Sequence, residues 1–246
     1  TPSGIKMLLE TGFLPPSIRG VLLGGEALSR RIAEGLFDTL GAGVRVWNVY
    51  GPTEATDLCL MEEMVRGDTS VPLLGLPISN MKAHVLTSTS MRPVPIGVPG
   101  ELFLEGAGVT RGYWRRDDLT KQRFLVDDRW QGRLYRTGDL VKRHLDGRLE
   151  YFGRIDRQVK LRGFRIELDE VENQLRACSG VELAAAMVRP LADGGSDALV
   201  GYFCGEAEVP AVLAHAATHL PKYMVPSVLL RLDALPLTSS DKVDYK

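Results

Sequence analysis

Val44-Arg45-Val46-Trp47-Asn48-Val49-Tyr50-Gly51-Pro52-Thr53-Glu54 decides how this chain is read. From Val44 to Val49 the chain alternates as a strand does, with Val44 and Val46 on one face and Trp47 and Val49 on the other. The alternation stops at Gly51-Pro52, a pair that punctuates chains with a turn. Upstream, Val21-Leu22-Leu23 is a short apolar run before Gly24-Gly25-Glu26, and Ser29 is placed to cap a helix over Arg30 to Leu40. On that helix Ile32, Leu36, Phe37 and Leu40 share one face. Strand, helix, strand is a βαβ-like unit, and it puts the Gly51-Pro52-Thr53 turn just past a strand's carboxyl end. Ligands of open α/β sheets bind at that edge.

From Gly75 to Arg154 the pattern changes to short β runs divided by Gly and Pro, among them Ala83 to Leu86, Gly100 to Leu104 and Leu134 to Arg136. This predicts a small distorted antiparallel barrel. Asp146-Gly147 is a hairpin-turn signal between Lys142-Arg143-His144-Leu145 and Arg148 to Phe152, because such turns demand positive φ. After Asp156 a second hairpin, Gln158 to Ile166, leads into a helix over Glu167 to Ala177. Strands over Val181 to Arg189 and Ala198 to Cys204, a helix from Val209 to Leu220 with Pro210 in its first turn, and a strand at Val228 to Leu232 complete an α+β unit.

The 246 residues are 44% apolar and 25% charged, enough for a sizeable core in one large or two smaller domains. A formal net charge of -1, with basic and acidic residues interleaved, argues against a broad cationic face for nucleic acid or anionic lipid. No apolar run approaches the roughly 20 residues that span a bilayer, so no membrane association is expected. Cys59, Cys178 and Cys204 are odd in number and widely spaced, which suggests neither a disulfide framework nor a zinc site and fits a reducing cytoplasm.

Tyr50-Gly51-Pro52-Thr53-Glu54 supplies a ring, a turn that lets backbone approach a ligand, a hydroxyl and a carboxylate within five positions. Those are nucleotide-binding parts. Read alone, the same residues also serve as a turn plus a helix cap. Thr137-Gly138-Asp139 follows an apparent strand, and a carboxylate there can accept two hydrogen bonds from a ribose diol; Gly-Asp at a strand end is equally ordinary turn chemistry. Lys242 is a compact, mobile point charge near the end of the chain.

Three clusters in this order, Asn48 to Glu54, Tyr135-Arg136-Thr137-Gly138-Asp139, and Gly153 to Leu168, resemble the adenylation domain of nonribosomal peptide synthetases. Within the last, Gln158-Val159-Lys160, Arg162-Gly163 and Arg165-Ile166-Glu167-Leu168 favour that branch over the related acyl-CoA synthetases and luciferases. Leu220 to Pro226 and Glu101 to Trp114 match as well, the latter read as mainly architectural. The resemblance implies an α/β fold: residues 1–155 as the latter part of the large adenylate-forming subdomain, and residues 156–246 as a mobile α+β C-terminal subdomain.

The resemblance also implies ATP and Mg²⁺, with Tyr50 stacking on adenine, Asn48 beside it, Gly51 at the turn, Thr53 meeting the phosphates, Glu54 holding the metal, Asp139 and Arg154 contacting ribose, and Lys242 serving adenylation. Asp156 is the implied hinge. The loop around Gly163 is implied to face the active site during transfer to the phosphopantetheine of a peptidyl carrier protein domain. Leu22, Gly24, Val49, Asp57 and Leu58, with Thr1 less firmly, map to the lining of the amino acid pocket. An Asp57 carboxylate there wants a cation or donor from the substrate, whereas an outward-pointing Asp57 would cap a local turn.

Ser240-Asp241 stands where the family commonly has Asn-Gly. The family's phosphate loop is not found between Thr1 and Val46, nor is the aspartate that grips the α-amino group, nor a carrier domain after Lys246. The expectation is a chain that needs the N-terminal half of its domain for catalysis. A small activator of the MbtH-like kind is a further candidate partner. The rival expectations are an acyl-CoA or aryl-acid ligase of the same superfamily and a non-catalytic scaffold.

Overall fold

The computed structural model describes residues 1–41, 43–191, 197–238 and 243–245. It divides into two compact units, Thr1–Asp156 and Arg157–Lys246.

In the first unit, α1 (Pro2–Thr11) precedes β1 (Gly20–Leu23), α2 (Arg30–Leu40) and β2 (Arg45–Tyr50). β1 and β2 pair in parallel, Leu23 opposite Asn48, so the βαβ reading stands. Ser29 sits at the N-cap of α2 in extended conformation, but its side chain makes no capping hydrogen bond. The helix is held by its apolar face instead: Ala33, Leu36 and Phe37 are buried with Leu23, Val44 and Val46. Burial of an amphipathic face outweighs a cap worth about 1 kcal/mol. β3 (Leu60–Met64) returns antiparallel on β2, and β4 (Leu76–Pro77) closes that four-stranded sheet.

β5 (Met81–Leu86), β6 (Pro99–Gly106), α3 (Asp117–Arg123), β7 (Phe124–Leu125), β8 (Leu134–Arg143) and β9 (Leu149–Arg154) follow. The strands form a curled antiparallel sheet in the order β5-β6-β8-β7, with β9 also on β8. Its inner face buries Leu102, Leu104, Tyr135 and Val141 in one core with Tyr50 and Leu60, so the end of β2 is packed directly on this layer. Thr137-Gly138-Asp139 does not end a strand as the sequence suggests. It lies inside β8 at a register break, where Glu101 faces Leu140 and Phe103 faces Arg136. Three residues therefore oppose Leu102 alone, a bulge of the kind that re-aims side chains beside functional sites.

The second unit opens with the hairpin β10 (Val159–Leu161) and β11 (Phe164–Ile166), whose two turn residues Arg162 and Gly163 have φ of 53° and 82°. Positive φ at both positions is what a two-residue hairpin turn with right-handed strand twist requires. α4 (Leu168–Arg176), β12 (Val181–Pro190), β13 (Asp197–Gly205), α5 (Val209–His219) and β14 (Val228–Arg231) complete it. β13 is the middle strand, antiparallel to β12 and parallel to β14. Val171 and Leu175 of α4 and Val212 and Ala216 of α5 are buried against Ala184, Ala186, Leu199 and Phe203. The three cysteines are buried and unpaired. Among the described residues no helix is long and apolar enough to cross a membrane.

Candidate nucleotide site

The site is built where β2 runs out. Parallel pairing with β1 sets Leu22, Leu23 and Gly24 beside Trp47, Asn48 and Val49. The chain then turns through Gly51-Pro52 into a short 3₁₀ turn, Thr53–Ala55. Gly51 packs on returning backbone: a Cβ there would lie 2.5 Å from the Asp57 carbonyl oxygen and 2.8 Å from the Leu58 nitrogen. Since backbone cannot swing aside as a side chain can, Gly51→Ala should destabilise the chain by about 1–3 kcal/mol. It should also displace Thr53 and Glu54. A urea titration unchanged from the parent would show that the turn has room to spare.

Segment 106–113 holds this turn from below. Thr56 Oγ1 donates to the Gly108 carbonyl at 2.6 Å, Thr110 N–H donates to the Glu54 carbonyl at 2.9 Å, and the Tyr113 hydroxyl donates to Glu54 Oε1 at 2.6 Å. Burial, then the Glu54 bond, pushes the Tyr113 phenol well above its ordinary pKa, so it stays a donor. Tyr113 is thus a site residue that sequence reasoning passed over as architecture. Its presence in a stretch matching the family was the available signal.

Asp139 lies directly across from Arg154 in the β8–β9 ladder. Arg154 Nη1 donates to Asp139 Oδ1 at 2.7 Å, its Nε and Nη2 reach the two Asp156 oxygens at 2.6 and 2.9 Å, and Nη2 also meets the Thr137 carbonyl at 3.0 Å. Arg123 adds a longer contact to Asp156 at 3.5 Å. Thr137 fixes the bulge by donating to the Leu102 carbonyl at 2.8 Å and accepting from Asp139 N–H at 3.0 Å. The second Asp139 oxygen accepts from the Tyr50 hydroxyl. Burial, followed by the charge and hydrogen bond of Asp139, holds the Tyr50 phenol protonated well above its ordinary range.

The structure therefore gathers Tyr50, Asp139, Arg154 and Asp156 into one cluster, but with Asp139 only 2% exposed and Tyr50 6% exposed. Each is closed off by the other, so contact with ribose or adenine requires the Tyr50–Asp139 hydrogen bond to open. Asn48 is also buried, and its amide donates to the Leu73 carbonyl at 2.7 Å. Thr53 is exposed and Glu54 half-buried. Leu22 is exposed, Gly24 lies against Val49, and Asp57 is exposed at a φ of 66°, while Leu58 is half-buried. Thr1 accepts from Gly4 N–H and so caps α1. Gly163 is exposed in the second unit, and Lys242 lies outside the described residues.

A nucleotide's requirements can be set against these groups. A carboxylate has about four lone-pair directions, so Asp139 can accept from ribose hydroxyls once the Tyr50 hydroxyl gives way. The Glu54 carboxylate is a hard oxygen donor, the type Mg²⁺ prefers, and Mg²⁺ commonly takes only one or two protein carboxylates, completing its shell with water and phosphate. No group of three or more His, Cys, Asp or Glu side chains among the described residues forms a metal site by itself.

A βαβ edge, a Gly-Pro-Thr-Glu turn and a buried Asp–Arg pair bonded to the tyrosine before that turn make up the candidate site of this α/β protein. The family models for AMP-binding enzyme and AMP-binding enzyme C-terminal domain match residues 1–114 and 170–242, and the chain belongs to that family. Its whole length aligns with nonribosomal peptide synthetases: with bacitracin synthase 3 of Bacillus licheniformis it is 39% identical over 253 residues, 100% of this chain and 4% of that protein. The Vibrio cholerae adenylation domain AlmE in complex with glycyl-adenosine-5'-phosphate superposes with a TM-score of 0.84 at 27% identity, covering 99% of this chain and 47% of that one. Holo-PA1221, an NRPS protein containing adenylation and PCP domains bound to a vinylsulfonamide inhibitor, gives 0.82 at 28% identity, covering 99% and 42%. The chain thus spans somewhat under half of these solved chains and a small part of the synthase.

Proposed function

We propose that this chain is the C-terminal part of an amino-acid-activating adenylation domain of a peptide synthetase, with residues 1–155 from the large subdomain and 156–246 the mobile one. The observation that carries the reading is the meeting of Tyr50, at the end of β2, with the cross-strand pair Asp139–Arg154. Nucleotide entry would exchange the Tyr50–Asp139 hydrogen bond for ribose hydroxyls and release the ring to lie on the adenine. Arg154 then keeps the Asp139 carboxylate aimed at the sugar. Thr53 and Glu54 hold the phosphate end, and bound Mg²⁺ would supply charge neutralisation there.

An amino acid carboxylate oxygen attacks the α-phosphorus of ATP; the bond to the bridging oxygen breaks and pyrophosphate leaves with its electron pair. Such a transfer is chiefly a matter of positioning and electrostatics, which suits a lysine such as Lys242. A carrier protein's phosphopantetheine thiol then attacks the adenylate carbonyl and AMP departs, with the Gly163 turn replacing the Lys242 segment after rotation at Asp156. Leu22, Gly24, Val49, Asp57 and Leu58 contribute to the amino acid pocket. Solved relatives containing adenylation and carrier domains support the choice of partner.

The test is amino-acid-dependent ATP–pyrophosphate exchange by this polypeptide joined to its upstream half, over pools of amino acids. Exchange with one pool, abolished by Asp139→Ala, is expected. Thioester formation on coenzyme A from an acyl or aryl acid, without amino acid exchange, would transfer the assignment to the ligase branch. Nucleotide binding with no exchange at all would leave a scaffold.

A further inference from the structure

Glu54 is held at two levels by the segment that joins β6 to α3. Its carbonyl accepts from Thr110 N–H at 2.9 Å and its Oε1 accepts from the Tyr113 hydroxyl at 2.6 Å, although 59 residues separate Tyr113 from Glu54 along the chain. Backbone meets backbone in this grip. A Cβ at Gly108 would lie 2.9 Å from the carbonyl oxygen of Ala55, the residue after Glu54. The segment therefore sets both where the Glu54 backbone sits and which way its carboxylate is turned.

Tyr113 is itself fixed from three sides. Its N–H donates to Thr120 Oγ1 on α3 at 2.9 Å, and its ring meets Phe124 edge-on with centroids 5.4 Å apart. Arg133 Nη1 donates to the Thr110 and Arg111 carbonyls at 3.1 and 2.7 Å, which pins the chain as it approaches the tyrosine. Gly112 permits that approach: its φ is 133°, and a Cβ there would come within 2.4 Å of Thr120 Cγ2. A phenylalanine at 113 would pack on Phe124 as well as a tyrosine does. What the hydroxyl adds is a bond to the carboxylate of the Gly-Pro-Thr-Glu turn.

We propose that Tyr113 is a positioning residue for Glu54, holding its carboxylate in the orientation that receives the Mg²⁺ of bound ATP. The inference rests on the reading of Glu54 as the metal ligand. A carboxylate has about four lone-pair sites, so it accepts the phenol and still ligates a cation. Groups that hydrogen-bond a ligating side chain fix its orientation, and removing one costs about 10- to 100-fold in metal affinity or activity. The test is equilibrium binding of ATP, with no amino acid present, to the polypeptide joined to its upstream half, once with Mg²⁺ and once in EDTA. Tyr113→Phe keeps the ring on Phe124 and is the variant least liable to misfold. It should weaken MgATP binding about 10-fold or more and leave the binding of metal-free ATP, and the KM for the amino acid in exchange, near parental values. In a Glu54→Gln background Tyr113→Phe should add no further weakening, because the hydroxyl acts only through that carboxylate.

Unchanged or tighter MgATP binding by Tyr113→Phe would overturn the proposal. So would equal weakening of MgATP and metal-free ATP, the mark of a residue that only supports the fold, or additive losses in the double variant. An MgATP affinity left unchanged by Glu54→Gln alone would instead remove the reading of Glu54 on which the inference rests.

Discussion

An Arg154→Ala variant is expected to lose about 3–5 kcal/mol of stability in residues 1–156, the penalty for breaking a buried charge pair by removing one partner. The arginine side chain is 7% exposed and its Asp139 partner 3%. Truncation strands a carboxylate that water cannot reach, with the Tyr50 hydroxyl still donating to it but no cation to balance its charge at that oxygen. It also leaves the Thr137 carbonyl short of a donor and loosens Asp156. The contrast is Arg129–Asp127, which has the same 2.7 Å separation but side chains 48% and 25% exposed. Solvent and salt screen that pair, and deleting it should leave the unfolding midpoint close to the parent's. Urea unfolding of both variants measures the difference. Adding Asp139→Asn to Arg154→Ala should recover part of the loss, because a neutral amide needs no counter-charge. No recovery would mean that packing, and not the stranded charge, set the size of the effect.

Lys242→Ala should reduce amino-acid-dependent pyrophosphate exchange about 10²- to 10³-fold, the usual loss when a group stabilising transition-state charge is removed. In the role proposed for Lys242 the reason is positional as much as electrostatic: one ammonium would approach both the attacking carboxylate and the α-phosphate. Transfer from a supplied adenylate involves no such charge migration between those groups and should change little. Rate measurements on each half-reaction separate the two. Equal losses would show that the lysine supports a common conformation, which the two-face reading does not allow.

Much of the architecture was legible because the residues that build it also punctuate it. The helix over Arg30–Leu40 and the hairpin around Arg162-Gly163 lie where apolar period and turn chemistry put them. The bulge at Thr137-Gly138-Asp139 was not legible. A Gly-Asp pair ordinarily ends a strand, and only the partner strand, through the register between Glu101 and Phe103, reveals that β8 continues. Family resemblance brought Tyr50, Asp139 and Arg154 to notice separately. That they bond to one another required the fold, since their spacing in sequence carries no sign of a cross-strand pair. The Tyr113–Glu54 bond was hidden for the same reason: it joins residues whose local patterns speak only of a loop and a turn.

The two units each bury a core of their own, Leu102, Leu104 and Tyr135 with their neighbours in one, Val171, Leu175 and Phe203 with theirs in the other. Cooperativity is a property of a core, so the chain has no obligation to melt as a single two-state body. The distribution of chromophores sharpens this. Trp47, Trp114 and Trp130 are the chain's three tryptophans, and all lie before Asp156. Indole emission is therefore a private reporter of the first unit, blind to the fate of the second, whereas backbone circular dichroism sums both. A midpoint read from one signal and quoted for the whole chain would conflate two separate equilibria.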